Sequence, residues 1–266
     1  MSYAEGSQAA FHEVADVFSG HIAHPGFGRC LTSVFDSRFI QEKQSMQRRE
    51  FSISGAGLAA AATFGGALAT ASQAMAQGGS PKEGDDFLLL DKQAPSDAPA
   101  GKIEVVEFFW YACQHCNRFE PQLEAWVKKL PADVYFRRAP VSFRPDFEPQ
   151  QRLYFVLEAL GKVEELHKKV FYAIHVEKQA LNTVDLVTAW AEKQGIAKAK
   201  FVETYNSFPI VTKARKSTQL QDAYKVDGVP SLGIAGRYYT SGTLAKTMER
   251  ALVVTDHAIA LARKSK

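Results

Sequence analysis

Between residue 103 and the C-terminus the spacing of apolar positions switches from continuous runs to helical stripes and back again. Ile103-Glu104-Val105-Val106-Glu107-Phe108-Phe109 is short, β-favouring and mostly apolar, which predicts a buried strand. Phe119, Leu123, Trp126, Val127 and Leu130 then recur at helical spacing until Pro131 ends the pattern. Val134-Tyr135-Phe136 opens a second strand running to about Phe143, so this stretch reads as a βαβ unit. From about Asp146 to Tyr224 there is no strand-like alternation. A helical stripe runs from Leu153 to Ile174 with Gly161 marking a break, and Asn182 or Thr183 caps a helix through Trp190 that Gly195 stops. Further helices are expected over 198–206 and 211–224. Ser231-Leu232-Gly233-Ile234 and Arg237-Tyr238-Tyr239 flank Ala235-Gly236 as a tight hairpin, and a last helix starts near Thr243. The layout is β-α-β, an all-helical insertion, then β-β-α. Residues 77–101, rich in Gly, Pro, Asp and Ser, precede it with one short strand around Phe87-Leu88-Leu89-Leu90.

The N-terminal third follows none of these periods. Residues 46–77, MQRREFSISGAGLAAAATFGGALATASQAMAQ, carry a positive start at Arg48-Arg49 and a weakly apolar, Ala/Gly-rich middle. They close on Ala74-Met75-Ala76, the small-x-small pattern of a signal-peptidase site. The paired arginines and the low hydrophobicity resemble a twin-arginine export signal. A signal peptide should begin a protein, so residues 1–45 read as an upstream mis-start extension, with translation beginning at Met46. Cleavage near Ala76 places the mature chain in the periplasm.

Composition then narrows the chemistry. Of 266 residues, 46% are hydrophobic, and no uninterrupted apolar run suits a transmembrane helix. The net charge of +3, from 32 basic against 29 acidic side chains, gives no reason to expect a nucleic-acid partner. The chain has three cysteines, Cys30, Cys113 and Cys116, too few for a disulfide-stapled scaffold. If the leader is removed, Cys30 goes with it, leaving Cys113-Gln114-His115-Cys116.

Two cysteines three apart can bind metal, form a static disulfide or perform redox chemistry. Structural zinc wants four ligands, and no H-x₃₋₅-H pair is available, since His167 and His175 are eight apart. No metal and no cofactor is expected. A four-residue ring removes little loop entropy, so a purely structural bridge would contribute little. The redox reading suits the context better. Cys113 falls where a strand gives way to a helix, and the unpaired N–H groups and dipole there favour a thiolate. Cys116 lies one turn on, on the same face and behind Cys113. His115 can donate to the Cys113 sulfur, which favours the reduced form and makes the disulfide a stronger oxidant. Glu107 is either a residue on an exposed strand edge or a buried acid beneath the cysteines that manages protons.

The segment VVEFFWYACQHCNRFEPQLEAW resembles the active-site segment of the DsbA family, exported bacterial thiol:disulfide oxidoreductases. Gly228-Val229-Pro230-Ser231 resembles that family's cis-proline loop, and the resemblance runs from about Phe87 to the C-terminus. It implies a thioredoxin fold, a mixed sheet flanked by helices, with an inserted all-helical domain: residues 77–142 and 217–266 forming the thioredoxin part and 143–216 the insertion. It implies that Cys113 is the nucleophile, Cys116 its buried resolving partner, His115 the residue holding the thiolate and Glu107 the buried acid. Pro230 would be cis, with Val229 and Gln114 beside the client. The implied function is a periplasmic dithiol oxidase that donates the Cys113–Cys116 disulfide to exported proteins and is reoxidised by a membrane DsbB-type quinone-linked partner; a monomer is expected. A reductase or isomerase of the same fold, or a redox-inactive chaperone, are the alternatives. Gln114 departs from the family's best-known Pro-His dipeptide.

Overall fold

Continuous apolar strands need cover on both faces, and the strand at Ile103–Phe109 has it: all seven of its residues are buried. The computed structural model describes residues 79–265, so the extension, the leader and Cys30 lie outside the described residues. The strands are β1 (Leu88–Leu89), β2 (Ile103–Phe109), β3 (Val134–Pro140), β4 (Ser231–Ile234) and β5 (Tyr238–Ser241), and they form one sheet in the order β1-β5-β4-β2-β3. β2 is parallel to β3 and antiparallel to β4, while β5 is antiparallel to both β4 and β1. Glu107 therefore lies on an interior strand and is fully buried, which removes the exposed-edge alternative.

Helix α1 (Gln114–Val127) makes the crossover from β2 to β3 and carries Pro121 within it. Between β3 and β4 come α2 (Glu148–Ala159), α3 (Val163–His175), α4 (Val184–Lys193), α5 (Lys198–Tyr205) and α6 (Phe208–Ala223), and α7 (Met248–Lys264) closes the chain. Gly161, at φ +64°, ends α2 in the left-handed conformation that glycine adopts freely. Thr183 is the residue that caps α4, its Oγ1 accepting from Leu186 N–H at 3.3 Å. The β4–β5 turn has Ala235 at φ 55° and Gly236 at φ 68°, the two positive angles of a tight hairpin. A side chain at Gly236 would also strike the Ala94 carbonyl, 2.5 Å from an ideal Cβ.

Several boundaries differ from the sequence expectation. β3 stops at Pro140 and not near Phe143, because Ser142 N–H leaves the sheet to donate to Gln221 Oε1 at 2.9 Å. α7 starts at Met248 and not near Thr243. Lys246 has φ 72°, and extended Thr247 accepts from Arg250 N–H at 3.1 Å as the cap. The boundary at 216 falls inside α6, which runs unbroken from the insertion toward β4.

The apolar interior is divided by the sheet. Phe119 and Leu123 of α1 pack with Val254 and Ala258 of α7 on one face, and Val106, Phe108 and Tyr224 on the other. A third cluster fills the helical insertion and reaches Phe109, Tyr111 and Cys116. The cysteine pair thus sits where the insertion meets the sheet.

Candidate active site

Strand register assembles the site. Phe108 of β2 is opposite Ser231 of β4, so the residues just before β4, Val229 and Pro230, come level with the loop that follows β2. The Val229–Pro230 peptide is cis. Cys113 Sγ lies 3.4 Å from Val229 O, a contact that only the protonated thiol can make as a donor, and Val229 itself packs against both the insertion core and the far face of the sheet. Pro230 is buried and Val229 half-buried.

Cys113 is the N-cap of α1, and its sulfur accepts from Cys116 N–H at 3.4 Å. The nucleophile candidate therefore does the work an Asp or Ser does at other helix starts, and its anion meets the positive end of the helix. Its acidity follows: the thiol falls from 9.0 to about 6. The Cys116 thiol hydrogen bond contributes most; burial opposes it, and the N–H groups of Cys116 and His115 and the charge of His115 add to it. Cys116 moves the other way, pushed well up by burial, by Cys113 and by Glu107. One sulfur is an accessible anion and the other a buried, protonated thiol; both are unpaired here.

His115 acts on Cys113 through its backbone N–H and its charge. The neutral ring makes no hydrogen bond to the sulfur, as had been expected, and accepts from Arg118 instead, Nη2 to His115 Nδ1 at 2.8 Å. The ring's charge therefore acts on Cys113 only in the protonated form, which gives up that contact. Gln114 is exposed at the first position of α1. An open cleft beside the pair is lined by His115, Val229, Pro230, Thr243, Lys246 and Met248, and Gln114 does not line it.

Beneath the cysteines lies a buried charged row that the sequence reading reached only at Glu107. Arg138, the register partner of Glu107 on β3, donates from Nε to Glu107 Oε2 at 3.0 Å and from Nη2 to Glu120 Oε2 at 2.9 Å. Burial, then the charge of Glu120, push Glu107 up to about 8 against the pull of Arg138. Glu120 is drawn down instead, since hydrogen bonds and charge from His167 and Arg138 outweigh its burial. Glu120 could have been noticed as an acid on the buried face of α1, between Phe119 and Leu123. Arg138 lay in a strand otherwise read for its apolar residues, and His167 was weighed only as a metal ligand. The backbone before Cys113 is fastened from the insertion as well. His175 Nε2 donates to Tyr111 O at 2.8 Å, and Ala112 N–H donates to Gln150 Oε1 at 3.1 Å.

A thiol pair with one acidic, accessible sulfur at a helix start, facing a cis-proline loop on a mixed sheet, defines a thioredoxin-fold thiol:disulfide oxidoreductase. Comparison with known proteins gives the family. The model of the DSBA-like thioredoxin domain matches residues 104–252. The thiol:disulfide interchange protein DsbA of Burkholderia cepacia is 39% identical over 186 residues, covering 70% of this chain and 88% of the relative. That of Bordetella pertussis is 39% identical over 208 residues, 78% of this chain and 96% of its own. The crystal structure of Pseudomonas aeruginosa DsbA superposes with a TM-score of 0.66 at 37% identity, over 70% of this chain and 96% of that one. The chain belongs to the DSBA-like thioredoxin domain family and is a protein disulfide oxidoreductase acting by thiol–disulfide exchange with substrate proteins.

Proposed function

We propose that the enzyme works as a dithiol oxidase, with the Cys113–Cys116 disulfide passed to exported proteins as they fold. The observation that carries this direction is the Cys113 sulfur held as an anion, at about 6, by the start of α1. Stabilising the thiolate stabilises the reduced enzyme, so its disulfide is the stronger oxidant.

In the first step a client thiolate attacks Cys113 Sγ. The S–S bond breaks and Cys116 leaves with the electron pair. Cys116, buried and with a raised pKa, takes up a proton, and Glu107, protonated at neutral pH, is the nearby acid to supply it. A second client thiolate then attacks its own mixed-disulfide sulfur and Cys113 leaves as thiolate. Two electrons have passed from client to enzyme. In this reading Val229 and cis-Pro230 line the client cleft, His115 supports the Cys113 anion, and Gln114 meets the client only at the rim.

The setting is proposed on the same footing. Arg48-Arg49 and Ala74-Met75-Ala76 support an exported precursor cut near Ala76 to a periplasmic chain, with 1–45 as a mis-start extension. Among the described residues no helix is long and apolar enough to cross a membrane. A membrane DsbB-type quinone-linked protein is the proposed reoxidant of a monomeric enzyme. The domain division is 77–142 with 217–266 for the thioredoxin part and 143–216 for the insertion, with α6 bridging the second boundary.

The test is the reduction potential of the pair, measured against glutathione. A value more positive than about −180 mV supports the oxidase. A value below about −250 mV makes the enzyme a reductase.

A further inference from the structure

The buried row beneath the cysteines holds two carboxylates and one guanidinium. Arg138 bridges Glu107 and Glu120, so it neutralises one negative charge and the other carboxylate must be protonated or remain an unbalanced buried anion. Nothing in Arg138 itself decides which. The second donor does. His167 of α3 stands 3.2 Å from Glu120 Oε1 through Nε2, so Glu120 has a donor on each oxygen. Glu107 Oε1 has no hydrogen-bond partner among the described residues.

We propose that His167 is a positioning residue that decides which buried carboxylate carries the proton, assigning the charge to Glu120 and leaving Glu107 as the protonated acid below the cysteine pair. The tautomer is fixed by the same contacts. Burial keeps His167 neutral, and Glu120 as a carboxylate can only accept, so the one ring proton sits on Nε2. Nδ1 then accepts from the Tyr111 hydroxyl at 2.8 Å. Tyr111 stays protonated, burial having pushed it well up. The groups facing His167 are Tyr111 from the loop after β2, Glu120 and Glu124 from α1, Arg138 from β3 and Tyr154 from α2. Those facing Glu107 are Arg138, Glu120 and Cys113, and its charge is felt at Cys116, Tyr111 and Tyr154. The arrangement ties the proton inventory of the exchange reaction to a residue of the helical insertion, two segments away from the cysteines.

The test is a titration of the Glu107 and Glu120 carboxyl carbons by NMR in the oxidised protein, where no thiol titrates. It reads the assignment directly and stands whether or not the oxidase direction proposed above holds. In His167→Leu the Glu107 midpoint should fall by about one pH unit or more and that of Glu120 should rise, the size an adjacent charge produces. His167→Gln, whose amide can donate to Glu120 and accept from Tyr111, should restore both midpoints. The alkaline limb of the pH–rate profile for disulfide donation, where the protonated acid is lost, should move with Glu107. If His167→Leu does not fold, Tyr111→Phe decides: freed of its Nδ1 donor, the ring can turn its proton away from Glu120, and Glu107 should shift in the same direction by less. Unmoved midpoints in the variant that folds, with only a lower Tm, overturn the proposal and leave His167 a packing residue.

Discussion

Glu107 and Arg138 are register partners on neighbouring parallel strands, and one N–H of Arg138 reaches one oxygen of Glu107, 3.0 Å away, while the other oxygen is left without a partner. An acid so held is neutral in the folded protein at pH 7, because its folded pKa is about 8 against 4.5 for the free side chain. A raised pKa contributes stability that is complete below about 4.5 and is lost as pH rises through about 8. Glu107→Gln has no proton to lose, so its advantage over the native protein should grow across that window. We expect the variant to be more stable by about 2–4 kcal/mol at pH 8 and to be equal within error at pH 4. Denaturant unfolding of the oxidised form at both pH values checks this; a variant less stable at pH 8 would show that Glu107 is an anion with a net favourable partner.

The thiolate has the opposite sign. Cys113 falls from 9.0 to about 6 in the fold, so its contribution to the reduced protein is full above about 9 and is lost as pH falls through 6. The sulfur is partly solvated, which weakens the effect to about 1 kcal/mol at pH 7. The oxidised protein has no such group. Raising the pH from 5 to 8 should therefore raise the Tm of the reduced form relative to the oxidised form. A difference that is flat over that range would mean that the start of α1 does not hold an anion.

Substitution of either cysteine separates the redox reading from a passive one. Cys113→Ser should abolish disulfide donation to a reduced client, a loss of several orders of magnitude, since the attacked sulfur is gone. Cys116→Ser keeps an acidic thiol but has no resolving partner. Offered a client disulfide, its Cys113 thiolate attacks one sulfur, the other leaves as the client's thiolate, and the mixed disulfide should accumulate where intact-mass measurement detects it. Client folding at the native rate by Cys113→Ser would leave a chaperone as the surviving account.

How far the sequence carried follows from which forces were local. The β2 run, the α1 stripe and the Ala235-Gly236 hairpin were legible because periodicity and turn chemistry act over a few residues. The cysteine pair was legible because its spacing and its place at a helix start lie in one segment. Glu107 stood out as a charge in an apolar strand. Its partners did not, since Arg138, Glu120 and His167 come from three other elements and meet it only through sheet register and helix docking. The start of α7 was misread for a related reason. Thr243 to Thr247 could extend a helical pattern, but Lys246 at φ 72° and the Thr247 cap are backbone events that side-chain periodicity does not report.

Gly233 has a steric role in the same sheet. A Cβ built there would lie 2.4 Å from Cε1 and 2.6 Å from Cζ of Tyr224. That ring cannot easily give way, since it is buried against Phe108 and its hydroxyl accepts from Gly236 N–H at 2.9 Å. Gly233→Ala should destabilise the protein by about 1–3 kcal/mol through overpacking while leaving the Cys113 midpoint in place. A Tm equal to that of the native protein would contradict the packing described.

The two residues between the cysteines should separate cleanly in a thiolate titration followed by ultraviolet absorbance. His115→Ala removes the ring charge but keeps the backbone N–H that faces the sulfur, and the Cys116 contacts are untouched. The Cys113 midpoint should therefore rise by about half to one unit and stop well short of the free-thiol value of about 8.5. Gln114→Pro replaces an exposed residue at the first helical position, where proline fits and its missing N–H is one that the helix does not use. The Gln114 N–H is not among the groups that lower Cys113, so the midpoint should move by no more than about 0.3 units. A return to the free-thiol value in His115→Ala would transfer the whole effect from the start of α1 to the histidine ring. A large shift in Gln114→Pro would instead place a determinant of acidity at the residue where this chain departs from the family's Pro-His dipeptide.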